Sequence, residues 1–196
     1  MDLVGRAKAI LLRPKQEWPA IENEATTPVL LYTSYIVPLA AIGPIARAIG
    51  LSVFGLPLGF LGTYRVSPVR AAAGAIVSFV FTLAGVWVLA WIIDWLAPKF
   101  GGQSNSIQAL KVAAYSCTAA WLAGIFGLIP LLSILGLFGL YSLYLLYLGL
   151  PVLMKSPPDR SLTYTVVVIL AGIAIAFLVT VLVAIVSPYG RPGIQM

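Results

Sequence analysis

VAAYSCTAAWLAGIFGLIPLLSILGLFGLYSLYLLYLGLPVL, from Val112 to Leu153, runs for 42 residues without a charged side chain. As one α-helix it would extend about 63 Å at 1.5 Å per residue, twice the roughly 30 Å hydrocarbon thickness of a bilayer, so it must cross twice and turn back. Pro130 marks the turn, and Ile129 to Ser133 leave little room for a loop. The reading is a tight hairpin of two spans, about 112–130 and 133–154.

Outward from the hairpin, Pro157-Pro158 breaks the chain, Asp159 or Ser161 is placed to cap a helix, and Leu162 to Val186 makes a further span, 162–186. On the other side, Ser67 as N-cap and Pro68 at the first helical position open a span over 69–96, which Pro98 and Gly101-Gly102 close. The most N-terminal span covers 28–49, and Pro38 and Pro44 inside it predict a bend, since each removes a backbone donor. Between these two spans, Leu51 to Gly62 is apolar but only about a dozen residues long. It carries Gly50, Gly55, Gly59, Gly62 and Pro57, which suits a re-entrant or interfacial loop.

With 61% hydrophobic and 9% charged residues and a mean hydropathy of +1.02, the 196-residue chain departs far from the roughly one-quarter charged content of soluble domains. The fold class is an all-α integral membrane protein, a five-transmembrane-helix bundle. It comprises an interfacial segment over 1–25, a membrane domain over 26–187 and a short tail over 188–196. No room remains for a soluble catalytic domain.

The N-terminal segment reads as amphipathic. Leu3, Val4, Ala7, Ile10 and Leu11 recur on one helical arc, opposite Asp2, Arg6 and Arg13. Such a helix is expected to lie on the membrane, with Arg6, Lys8, Arg13, Lys15 and Trp18 as interfacial anchors. No small-residue cleavage site follows the first apolar run, so the segment is expected to be retained. The twelve basic residues divide unevenly. Arg6, Lys8, Arg13, Lys15, Lys99, Lys111, Lys155 and Arg160 fall on the N-terminal side, and Arg47, Arg65, Arg70 and Arg191 on the other, 8 against 4. A cytoplasmic N-terminus and an outside C-terminus follow from that excess. The scatter of these charges among loops argues against nucleic acid as a partner.

Several stretches carry a family resemblance. Arg6-Ala7-Lys8-Ala9-Ile10-Leu11-Leu12-Arg13-Pro14-Lys15 with Trp18-Pro19 resembles the start of prokaryotic members of the Yip1 family. Ala114-Tyr115-Ser116, Gly127-Leu128-Ile129-Pro130-Leu131-Leu132 and Gly136 through Tyr147 resemble that family's third and fourth spans. The resemblance implies five spans, a cytoplasmic N-terminus and no catalytic signature. Eukaryotic members are implicated in vesicle traffic and bind prenylated Rab GTPases; their long soluble N-terminal region has no counterpart here.

The chain has no histidine and one cysteine, Cys117, which removes the Ser-His nucleophile pair, imidazole metal sites and thiolate metal sites together. Enzyme activity and cofactors are not expected. Three features stand out. Asp94 is the lone carboxylate within an apolar run, either coupled to an ion or paired near the span's end with Lys99. Arg47, Arg65 and Arg70 flank the glycine-rich loop and could hold an anionic lipid headgroup or ligand, or simply be solvated. Gly124, Gly127, Gly136 and Gly139, with the stripe Phe138, Tyr141, Tyr144 and Tyr147, suit either close helix packing or a polar cavity.

Two functions from different classes stay open. One is a membrane-organisation, trafficking or interaction protein, with the lipid bilayer and itself or other membrane proteins as partners. The other is a small channel, transporter or lipid-moving protein.

Overall fold

The computed structural model describes residues 2–57 and 63–186 of the chain. Two short helices come first. α1 (Leu3–Leu12) starts where the Asp2 carboxylate accepts from the Gly5 N–H at 3.0 Å, and α2 (Pro14–Asn23) starts with proline at its first turn after Arg13 leaves helical geometry. They fold back on each other because Arg6 of α1 pairs with Glu17 of α2 and with Glu24 just beyond it. Burial alone would depress the Arg6 guanidinium pKa; Glu24 and Glu17 outweigh that and hold it above its ordinary value.

Among the described residues, five helical segments are long and apolar enough to cross a membrane. They run Pro28–Phe54, Pro68–Phe100, Ser106–Leu128, Pro130–Leu153 and Pro158–Val186. The first is segmented rather than continuous. A π-turn over Tyr32–Ile36 precedes Pro38, the α-helix restarts after Ala41, and a second π-turn over Gly50–Phe54 ends it. Missing proline donors are absorbed in this way, and the Thr33 and Ser34 hydroxyls donate to carbonyls one turn back. Of the loop expected over 51–62, the opening residues therefore complete the first span. A two-residue antiparallel pair follows, β1 (Leu56–Pro57) with β2 (Thr63–Tyr64), while Gly59 and Gly62 lie outside the described residues.

Ser67 takes the expected N-cap position of the second span with extended backbone, but its hydroxyl caps nothing. The end is as the glycines imply: Gly101 adopts φ +77°, a left-handed conformation that costs glycine little, and Gly102 N–H bonds back to Ala97 O at 2.8 Å. The fifth span starts at Pro158, with Asp159 in its first turn; Ser161 lies inside the helix and bonds Pro157 O rather than capping.

The third and fourth spans form the hairpin, turning at Ile129 with extended backbone before Pro130. They are not α-helical throughout. Gly124–Leu128 and Pro130–Leu140 are 3₁₀-helix, and the second run, 11 residues, is long for a form usually confined to three or four. The third span also begins six residues earlier than the sequence suggests, because Lys111 lies inside it. The Lys111 side chain is 3% exposed and donates to Ile21 O at 2.7 Å, Glu22 O at 3.2 Å and Glu24 O at 2.7 Å. An ammonium has three protons, and each finds a carbonyl at the C-terminal end of α2, where unpaired carbonyls and the helix dipole both favour a cation.

The core lies in the N-terminal half of the bundle. Tyr35 bonds Thr118 at 2.7 Å and its ring lies 4.6 Å from that of Tyr115, which in turn meets Trp18 edge-on at 6.4 Å. Trp18 corrects the expectation of an interfacial anchor: it is 0% exposed, and its indole lies on Gly149, where a Cβ would come within 2.6 Å of the ring. α2 is thus packed into the bundle through Pro14, Trp18 and Ile21, while α1 buries Ala7 and Ile10 and keeps Val4 and Leu12 exposed on its outer side. Internal neutralisation of Arg6 is what permits this, since an unpaired guanidinium there would be costly to bury. Lys8, Arg13 and Lys15 stay exposed. The fifth span rests on the second through a hydrogen bond from Tyr164 OH to Ile93 O at 2.5 Å and turns Leu170, Phe177 and Ile185 outward.

Candidate functional site: a cleft among four spans

Beyond this core the spans part. A cleft of about 850 Å³ opens between the first four, lined by Gly43, Pro44 and Arg47 of the first, Ser78 and Thr82 of the second, Ala120, Trp121, Gly124 and Gly127 of the third, and Ser133, Gly136, Gly139 and Leu140 of the fourth. Its residues fall in the half of each span distant from the N-terminus. The opposite half is filled by Trp18, Tyr35, Tyr115 and their neighbours, so the cleft is closed at one end.

The 3₁₀ form shapes one wall. With three residues per turn, positions i and i+3 eclipse, which sets Ser133, Gly136 and Gly139 in a row along the fourth span. A Cβ on Gly136 would meet nothing within 4 Å, so the row is open at that position. Gly139 does pack, with a Cβ there coming 3.2 Å from Ala120 Cα. The other two glycines of the hairpin face the first span instead of the fourth. A Cβ on Gly124 would come 2.7 Å from Gly43 Cα, and Gly127 lies against the Arg47 backbone, with Gly50 pressed on the Gly127 carbonyl at the span ends. The first and third spans therefore cross in backbone contact, and that crossing fixes Arg47 on the cleft wall.

Arg47 is exposed and makes no ion pair with a carboxylate among the described residues. It stands seven residues before Phe54, about 10 Å from the end of the span at 1.5 Å per residue. Within the cleft it is the charged group, accompanied by the hydroxyls of Ser78, Thr82 and Ser133; Thr82 donates to Ser78 O at 2.8 Å. A cation with apolar and small-residue walls suits an anionic head on a hydrocarbon body. Arg65 and Arg70 do not line the cleft. Arg65 precedes Val66, whose N–H bonds Leu51 O at 3.1 Å and which packs with Leu51 and Ala71, so the loop closes on the ends of the first two spans. Arg191 lies outside the described residues.

Asp94 accepts from Ser104 Oγ at 2.8 Å and does not pair with Lys99. Lys99 lies in the 3₁₀ turn Ala97–Phe100 that ends the span, and its ammonium stands 3.0 Å above the ring centroid of Trp95 instead. Tyr141, Tyr144 and Tyr147 do not line the cleft either. Tyr141 OH donates to Leu11 O at 3.0 Å, tying α1 to the fourth span, and the Tyr141 and Tyr144 rings lie 5.4 Å apart. Cys117 sits at a break between the two α-helical parts of the third span, unpaired. Among the described residues no cluster of acidic and sulfur ligands could hold a metal ion.

Lys111 is the residue that sequence reasoning undervalued, treating it only as a positive charge near a span. The available signal was its position directly before the apolar run, with no acidic residue one helical turn away on either side.

Comparison with known proteins supports a membrane protein. The inner membrane protein YohC of Escherichia coli strain K12 is 28% identical over 112 residues, and YohC of E. coli O6:H1 strain CFT073 matches to the same extent. The match spans 57% of this chain and 57% of the relative's length. No solved structure matches. The profile of the Yip1 domain matches residues 8–184, nearly the whole length, and the chain belongs to the Yip1 family.

Proposed function

We propose that this protein is a non-enzymatic membrane-organising factor that binds an anionic amphiphile in its one-ended cleft. The carrying observation is Arg47, an unpaired cation on the wall of an 850 Å³ cavity otherwise lined by hydroxyls and apolar groups. In low-dielectric surroundings such a charge attracts an anionic partner strongly, and guanidinium geometry suits phosphate or carboxylate oxygens. The filled N-terminal half speaks against a continuous path and so favours binding over conduction. A bacterial inner membrane with a cytoplasmic N-terminus is the setting we assign, on the basic-residue count and the likeness to an inner membrane protein. The cleft would then face the outer leaflet.

Photoactivatable phosphatidylglycerol, added to full-length protein in nanodiscs, tests this. Crosslinks are expected to map to residues 120–140 and to fall about tenfold or more in Arg47→Gln, the loss of one charge-assisted bond. Equal labelling of wild type and variant would remove the reading. A second reading is favoured by the open wall at Gly136, one 3₁₀ turn from Ser133: the cleft seats a helix of another membrane protein or a second copy. Protein–protein crosslinks at Ser133→Cys in place of lipid adducts would select it.

A further inference from the structure

A second apolar space lies on another face of the first and third spans, beneath α1, and shares no lining residue with the cleft, although its Ile42 and Leu122 directly neighbour the cleft's Gly43 and Ala123. It is a groove of about 510 Å³ between α1 and the bundle, walled by Val4, Lys8 and Leu12 of α1, Leu39 and Ile42 of the first span and Leu122 of the third. Lys8 turns its methylene stem, not its ammonium, toward the groove. The volume is that of a small-molecule site. Water gains nothing from so apolar a space, and Val4 and Leu12, 74% and 68% exposed, extend the apolar surface outward.

Charge decides which hydrocarbon fits. Of the carboxylates near the hairpin, Glu17 and Glu24 hold Arg6, Glu22 holds Lys155, and Asp2 caps α1. That leaves Lys8, Arg13 and Lys15 exposed with no carboxylate partner among the described residues. Three unneutralised cations therefore accompany a groove built for an alkyl chain, with Lys8 in its wall and Arg13 directly after Leu12. We propose that this groove holds an acyl chain of an anionic phospholipid whose phosphate is met by the Lys8 ammonium, with Arg13 and Lys15 adding to the attraction. The site would make α1 a clamp on one lipid molecule and would bias the protein's lipid shell toward anionic headgroups on its N-terminal side.

Full-length protein, purified in mild detergent and titrated with phosphatidylglycerol or phosphatidylethanolamine, is examined by native mass spectrometry, with photoactivatable phosphatidylglycerol to locate the adduct. Wild type is expected to retain phosphatidylglycerol in preference to phosphatidylethanolamine and to crosslink it to residues 3–12. Lys8→Gln should weaken that preference about fivefold, the effect of one basic residue at an anionic surface. Val4→Trp, which fills the mouth at an exposed position, should lower retention of both lipids. Arg47→Gln should leave the residue 3–12 adduct unchanged while removing the cleft adduct, so the two sites fail separately. Unchanged binding in both Lys8→Gln and Val4→Trp would overturn the proposal, as would adducts spread evenly over all outward faces.

Discussion

At Gly149 the absence of a side chain decides the position of another residue. The Trp18 ring occupies the space a Cβ would take, so Gly149→Leu should expel the indole from the core and leave its hydrophobic contacts unmade. The cost is on the order of 3 kcal/mol, read as a lower temperature at which the detergent-solubilised protein loses monodispersity. Gly124→Leu should act similarly by forcing the first and third spans apart. Gly136→Leu should leave thermal behaviour unchanged, since nothing lies within 4 Å of the added carbon, though it narrows the cleft. Equal losses at Gly136 and Gly149 would contradict this division. Sequence marked Gly124, Gly127, Gly136 and Gly139 as one class; packing separates them by which neighbour each one meets.

The α1–α2 hairpin is the element whose place was least legible. Its amphipathic spacing is visible in Leu3, Ala7 and Ile10, but the same spacing suits a bilayer surface and the flank of a bundle equally. What distinguishes them is partners remote in sequence: Arg6 with Glu24, Lys111 with three carbonyls, Trp18 with Gly149, Tyr141 with Leu11. Replacing Lys111 with Met would leave those carbonyls without their charged donor. A loss of about 3 kcal/mol, or roughly a hundredfold more frequent local opening, is expected. Hydrogen exchange across residues 14–24 would register it, together with faster cleavage after Lys15 by trypsin. Unchanged exchange there would mean that α2 is held by Trp18 and Ile21 alone.

For the whole molecule, the uneven share of basic residues leads to a directional test in a Cys117→Ala background. Single cysteines at the exposed positions Ser104 and Asp159 should react with an impermeant reagent only from the cytoplasmic side, and one at Ser67 only from outside. The reverse pattern would invert the cleft and the groove between leaflets while leaving their chemistry in place. The structure refines the count: Arg6 and Lys111 are consumed internally, Lys155 pairs with Glu22 and Arg160 with Asp159, so the charges free to sense the membrane at that end are chiefly Lys8, Arg13, Lys15 and Lys99.

Sequence by itself determined that this chain is a five-span helical membrane protein and where the hairpin turns. Length against bilayer thickness, proline against helix continuity and uncharged runs against water are local arguments, and each is complete within one segment. Only the tertiary structure decided that the N-terminal hairpin plugs one half of the bundle, that the fourth span is partly 3₁₀, and that Arg47 stands apart from Arg65 and Arg70 on a cleft wall. Those outcomes depend on which backbones approach one another. In lipid, where apolar surface alone gives helices little reason to choose neighbours, the choice falls to small-residue contacts and a few buried hydrogen bonds between positions far apart in the chain.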